Sequence, residues 1–106
     1  MVDSGAIHLC IPELVRQQLG LTTIEQRRIK TADGAIHLVD YVAPIMVEIF
    51  GRHSSTGALV MGEQVLLGAI PMEDMDLVVE PLRQRVIPNP ASPDVPMSLA
   101  MGFLPR

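Results

Sequence analysis

Val2-Asp3-Ser4-Gly5-Ala6, near the start of the chain, and Val65-Leu66-Leu67-Gly68-Ala69, much later, carry most of the fold information in this sequence. The first places an acid on a Ser-Gly turn. In both stretches Gly-Ala-Ile leads within a few residues to a proline and a helical segment. Glycine suits these positions because it allows a tight turn and the close approach of another backbone. The two stretches therefore predict a pair of matching strand–glycine–helix units, one of which carries an acid.

Two short helices are predicted from the placement of proline, glycine and acidic residues. Pro12 suits a first helical position, Glu13–Leu19 follows it, and Gly20 ends the helix. Pro71 opens a second helix whose first turns are acidic, which favours the positive end of a helix dipole. Pro81 is expected to end that second helix.

The remaining pattern predicts β-strands, because apolar and polar residues alternate over short runs. An Asp-Gly pair in Thr31-Ala32-Asp33-Gly34 lies between two such runs, which is a strong signal for a β-hairpin. The predicted strands cover residues 7–11, 27–31, 36–42, 45–49, 54–61, 64–67 and 83–87. We expect one domain over residues 1–88, followed by a proline-rich tail over residues 89–106.

Composition limits the classes of function. The 106 residues are 48% apolar but only 3% aromatic, so the core is expected to be aliphatic. A net charge of −4 argues against a nucleic-acid partner, since phosphate binding needs clustered lysine and arginine. Cys10 is the one cysteine, and no apolar run is long enough for a membrane span. No basic segment precedes an apolar segment at the N-terminus, so we expect no signal peptide. We therefore predict a cytoplasmic protein without a disulfide. The three histidines lack metal-ligand spacing, so no metal is expected.

With these motifs in this order, the chain resembles the retropepsin-like (retroviral-type) aspartic peptidases of the bacterial, chromosomally encoded kind. The resemblance covers roughly residues 2–89 and is supported by Leu9-Cys10-Ile11-Pro12-Glu13 as well as by the hairpin and the Leu-Leu-Gly run. It implies a mostly β protein, a closed antiparallel β-barrel of the retropepsin type with two short helices, that dimerises around a twofold axis.

The resemblance also implies a role for each site residue. Asp3 would be the catalytic aspartate, Ser4 the hydroxyl that ties two active-site loops together, and Gly5 the turn glycine. The stretch Thr31, Ala32, Asp33 and Gly34 would be the flap that closes over substrate, and Leu66, Leu67 and Gly68 the segment behind the catalytic loop.

Family members have two strands before the aspartate, whereas Met1 and Val2 alone precede Asp3 here. Either the start has been placed too late or the domain is shortened at its N-terminus, and a missing strand would leave an unpaired sheet edge. The expected function is an aspartic endopeptidase in which two Asp3 carboxylates of a homodimer activate water to hydrolyse a peptide or protein substrate, without a cofactor. The alternative is a non-catalytic module of the same fold that serves dimerisation or peptide binding.

Overall fold

The computed structural model describes residues 7–98, in which six strands and two short helices follow one another. They are β1 (Leu9–Ile11), α1 (Glu13–Leu19), β2 (Thr23–Lys30), β3 (Ile36–Ile49), β4 (Arg52–Val60), α2 (Ala69–Asp74), β5 (Leu77–Glu80) and β6 (Arg85–Pro88). Four strands form one sheet in the order β1-β4-β3-β2, and β5 pairs with β6 in a separate two-stranded sheet. Strand β1 runs parallel to β4, and the other pairs are antiparallel.

The prediction of a mostly β protein with two helices is confirmed. Within residues 7–98 the strands form two open sheets, and the closed antiparallel barrel is not observed there. The outer edge of β3 over Ile45–Ile49 has no partner strand in this part of the chain, because β2 pairs with β3 only as far as Val42. No helix among these residues is long and apolar enough to cross a membrane.

Helix α1 forms as predicted, over Glu13–Leu19. Gly20 follows it in the left-handed conformation, with φ of 64°, and its N–H and that of Leu21 bond to carbonyls of the last turn. Such a glycine ends a helix because it adopts this backbone without the steric penalty of a side chain.

The prediction that the second helix runs to Pro81 is wrong. Helix α2 ends at Asp74, and Leu77–Glu80 is strand β5. Asp76 lies between them with φ of +53°, a conformation that a helix cannot contain. The carbonyl oxygens of Met75 and Asp76 accept hydrogen bonds from the buried guanidinium of Arg52, at 3.3 and 2.8 Å. A side chain from β4 therefore satisfies carbonyls at the point where the helix stops.

The core is aliphatic, as the composition predicts. Its buried members come from both sheets and α2, and are Leu9, Ile11, Val42, Ile45, Ala58, Leu67, Met72, Met75 and Leu77. Strand β1 is buried along its whole length instead of alternating, since its residues lie between β4 and the chain around Leu66.

Residues 89–98 contain no helix or strand but are bound to the end of α2. The Asp76 carboxylate accepts hydrogen bonds from the hydroxyl of Ser92, the amide of Asn89 (2.9 Å) and the backbone N–H of Met97 (2.9 Å). These donors, the Ser92 hydroxyl foremost, lower the pKa of Asp76 from 3.8 to about 2. Arg52 also donates to the carbonyl of Ser92, so one buried arginine and one carboxylate hold this segment.

Candidate active site

The predicted catalytic residues Asp3, Ser4 and Gly5 lie outside the described residues, which begin at Ile7. The structure does describe residues 7–11, which follow them, and residues 66–68, which were predicted to lie behind them. The geometry of these two stretches decides whether the two motifs of the sequence meet.

They do meet. Leu66 and Cys10 exchange two backbone hydrogen bonds, from each N–H to the other carbonyl, and both are 2.9 Å long. The backbone N–H of Ile70 donates to the carbonyl of Ile7, again at 2.9 Å. Two backbone hydrogen bonds thus join β1 to the Leu-Leu-Gly run, and a third joins Ile7 to the first turn of α2.

Gly68 is the point of closest approach. A β-carbon built on it would lie 2.6 Å from the carbonyl carbon and oxygen of Ile7, and closer still to the carbonyl oxygen of His8. Its backbone is ordinary extended chain, with φ of −89° and ψ of −176°, so conformational freedom does not explain the glycine. Glycine is required at this position because two backbones touch. Leu67 next to it is buried in the core.

The predicted flap residues form the tip of the hairpin between β2 and β3. Gly34 has φ of +85°, and its N–H donates to the carbonyl of Thr31. The Asp33 carboxylate accepts hydrogen bonds from the Thr31 hydroxyl (2.5 Å) and the Ala35 N–H (3.0 Å), and these two bonds lower the pKa of Asp33. In the described part of the chain, the hydrogen bonds of Thr31, Ala32, Asp33 and Gly34 stay inside the hairpin.

A cluster beside β1 was not predicted from the sequence. The guanidinium of Arg27 lies 3.8 Å above the centre of the Tyr41 ring, and the His8 ring meets Tyr41 edge-on with centroids 6.5 Å apart. Tyr41 lies against Gly57 of β4, where an added β-carbon would be 2.7 Å from one ring carbon and closer to the hydroxyl. The signal in the sequence was Gly57 itself, since glycine inside a strand often marks a site where another group approaches. His8, the third residue after Gly5 in the sequence, connects this cluster to the start of β1.

An apolar groove with a volume of about 550 Å³ runs along the core side of β3. It is open to the surface beside the unpaired edge over Ile45–Ile49. Aliphatic residues from β1, α1, β3 and the region before α2 dominate its lining, among them Leu9, Ile11, Val15, Leu19, Val47, Val65 and Leu67. A larger and more polar cavity, of about 970 Å³, lies between α2, β4 and residues 89–98.

Two carboxylates that the structure describes, Asp33 and Asp76, are engaged by hydrogen-bond donors. Hydrogen-bond donors hold Asp33 and Asp76 in the ionised form, which is unsuited to donating a proton. No three histidine, cysteine, aspartate or glutamate side chains within residues 7–98 lie together as a metal site would require.

The chain matches none of the models of known protein families with which it was compared, and it matches no curated protein.

Proposed function

We propose that this protein is an aspartic endopeptidase of the retropepsin type, active as a homodimer in which each chain supplies Asp3. One observation supports this most directly. The Leu66–Gly68 segment lies against the backbone that follows Asp-Ser-Gly-Ala, so tightly that only glycine fits at position 68. An acid on a turn braced from behind by a second, distant segment is what a rigid catalytic loop needs.

The reaction uses a pair of carboxylates that share one proton. Two Asp3 side chains facing each other cannot both ionise easily, so the pair titrates with two separated apparent pKa values. The ionised carboxylate removes a proton from a bound water, and that water attacks the carbonyl carbon of the scissile peptide bond. The protonated carboxyl hydrogen-bonds the carbonyl oxygen. The tetrahedral intermediate collapses with proton transfer to the leaving nitrogen, and neither a cofactor nor a covalent enzyme intermediate takes part.

The hairpin tip at 31–34 is the proposed flap. An extended peptide can be held by backbone hydrogen bonds from a hairpin, in the manner of strand addition. The turn is rigid, since Asp33 bonds to Thr31 and to Ala35 at once, while the exposed Ile36 and Leu38 offer apolar contacts near it. A closed antiparallel barrel is also part of the proposal, and the open edge along Ile45–Ile49 beside the apolar groove supports it, because an added strand would cover both.

The test is the Asp3→Asn substitution, assayed with quenched fluorogenic peptides that carry aliphatic residues on both sides of the cleavable bond. We expect no turnover from Asp3→Asn and parental turnover from Glu63→Gln, a control that removes an exposed acid near the Leu-Leu-Gly run. Because both carboxylates are needed, an excess of the Asp3→Asn chain mixed with the parent should also suppress the parent's activity. Cleavage by Asp3→Asn at the parental rate would refute the proposal.

A second candidate is a non-catalytic dimerisation or peptide-binding module of the same fold. The apolar groove beside an unpaired strand edge favours it, because such a pair of features can take up an extended peptide without any chemistry. The same fluorogenic peptides distinguish the two: a module binds them equally well with and without the Asp3→Asn substitution, and it cuts them in neither form.

A further inference from the structure

The larger cavity, of about 970 Å³, is enclosed by three parts of the chain: strand β4, the end of α2 with the start of β5, and residues 89–98. Along β4 successive side chains point to opposite faces of the sheet. Arg52 and Ser54 are accordingly buried, whereas His53 and Ser55 are exposed. The volume lies within the range of sites that bind small molecules in proteins.

Residues 89–98 form a wall of this cavity that hydrogen bonds hold in place. The Asp76 carboxylate accepts hydrogen bonds from Asn89, Ser92 and Met97. All four of these residues also line the cavity. Because this wall is already ordered by its own chain, a ligand does not have to order it, and that lowers the cost of binding.

Ser54 presents a hydroxyl group to this cavity that has no partner in the described chain. The residue is only 3% exposed, and no group within residues 7–98 forms a hydrogen bond with its side chain. Every fully enclosed side-chain nitrogen or oxygen in that range does have a partner, so the Ser54 oxygen must open into the cavity that it lines. The other buried serine, Ser92, donates its hydroxyl to Asp76. The Ser54 hydroxyl is therefore available to donate or accept a hydrogen bond with a bound molecule.

Two acids give the cavity its charge. Glu73 and Asp74, the last two residues of α2, line the cavity and are exposed to solvent. Neither forms an ion pair within the described residues, whereas the charge of Asp76 is offset by Arg52, 3.9 Å away. No lysine, arginine or histidine from residues 7–98 lines the cavity. Its exposed side therefore favours a positively charged group.

The rest of the lining determines which kind of cation fits. Ile70, Leu77 and Val78 contribute aliphatic walls. The described part of the lining contains no aromatic ring, and a quaternary ammonium group is usually bound by such rings. It also lacks three histidine, cysteine, aspartate or glutamate side chains placed to hold a metal ion. These features favour a primary ammonium group on an aliphatic chain.

We propose that this cavity binds a small aliphatic primary amine that carries a hydroxyl or carbonyl group at the other end of its chain. The ammonium group lies at Glu73 and Asp74, the hydrocarbon lies against the aliphatic walls, and the neutral group bonds to the Ser54 hydroxyl. A free amino alcohol and a lysine residue with its backbone carbonyl share this chemistry. Binding at this site requires neither Asp3 nor a second copy of the chain.

Titrations followed by amide resonances test the two polar contacts with matched probes. Linear amino alcohols, from aminopropanol to aminohexanol, carry both groups, whereas alkylamines of the same length lack the hydroxyl and diols lack the charge. We expect the best amino alcohol to shift the amide resonances of Leu77, Val78 and Ala91. It should bind about fivefold more tightly than the matching alkylamine or diol. Equal affinity for the amino alcohol and its diol would overturn the proposal, and so would unshifted resonances at tens of millimolar amine.

Variants assign each contact to its residues. Ser54→Ala should weaken binding of the amino alcohol about fivefold and leave the alkylamine unchanged. Glu73→Gln combined with Asp74→Asn should weaken both amines and leave the diol unchanged. Glu48→Gln combined with Glu63→Gln removes the same charge at exposed positions that do not line the cavity, and should leave all three affinities unchanged at about 0.15 M salt. The same loss in both double variants, or an equal loss of both amines in Ser54→Ala, would overturn the proposal.

A lysine derivative identifies the source of the amine. Nα-acetyl-lysine methylamide presents the side chain as a peptide does, and acetylation of its side-chain nitrogen removes the charge. Tighter binding of this derivative than of every amino alcohol supports the site and identifies a peptide lysine as its ligand. The reverse order supports the site and identifies a free amino alcohol. Binding of the derivative that survives acetylation of the side-chain nitrogen would overturn the proposal.

Discussion

Gly68→Ala is the substitution that most directly tests the contact between the two motifs. The added β-carbon meets only backbone atoms, namely those of Ile7 and His8, and cannot be relieved by a rotamer change. Overpacking of this kind costs about 1–3 kcal/mol, and replacing a flexible glycine returns about 0.4–1 kcal/mol through the unfolded chain. The net destabilisation is about 1–2 kcal/mol, or a decrease in Tm of about 4–16 °C for a domain of this size.

Gly68→Ala should lower kcat/KM by more than its loss of folding stability alone would explain. To restore normal contact distance, the backbone at Ile7 and His8 must move by about 1 Å, and a displacement of that size near reacting groups costs about 100-fold in rate. Gly62→Ala is the control: its β-carbon enters open space, but φ of +78° makes alanine unfavourable by about 1 kcal/mol. We expect similar melting temperatures for the two variants and a loss of kcat/KM in Gly68→Ala alone. Unshifted amide resonances of Ile7 and His8 in Gly68→Ala would refute this reasoning.

Two further predictions concern the folding stability that Asp76 and Gly57 provide. The pKa of Asp76 is lowered to about 2, so its stabilising contribution is present above about pH 4 and is lost as the pH falls toward 2. Asp76→Asn should therefore make the midpoint of urea unfolding depend less on pH between about pH 4 and 2. The same pH dependence in the variant and the parent would contradict this prediction. Gly57→Ala should destabilise the fold by about 1–3 kcal/mol because its β-carbon collides with the Tyr41 ring. When Tyr41 is already replaced by alanine, Gly57→Ala should cost little further stability. If the losses of stability from the two substitutions simply add in thermal denaturation, the collision is not the cause.

The parts of the fold that could be predicted from the sequence are those determined by local signals. Gly20 ends α1 in the left-handed conformation, and Asp33-Gly34 forms the hairpin between β2 and β3, because each turn depends on the residues that compose it. The end of α2 depends instead on a distant side chain. Arg52 satisfies carbonyls at Met75 and Asp76, and helical propensity up to Pro81 carries no information about that contact.

The same distinction holds for the candidate site. The Leu-Leu-Gly run could be connected with the Asp-Ser-Gly-Ala stretch from the motifs, and its contact with Ile7 and Cys10 is seen. The stacking of Arg27 on Tyr41 could not be predicted, because it depends on the register between β2 and β3 after an irregularity near Thr23. A shift of one residue in that register would place the two side chains on opposite faces of the sheet.

The contacts of β1 also bear on how a single acid per chain could act. Backbone bonds to Leu66 and Ile70 hold the chain after Asp3 on one side, and these bonds lie within one copy. The backbone of residues 7–10 is thus fixed by its own chain, without any contribution from a partner. Under the proposed function, a second copy supplies the other carboxylate, at a distance short enough for two acids to share a proton. In such a dimer that distance depends on where the symmetry axis passes relative to β1 in each chain.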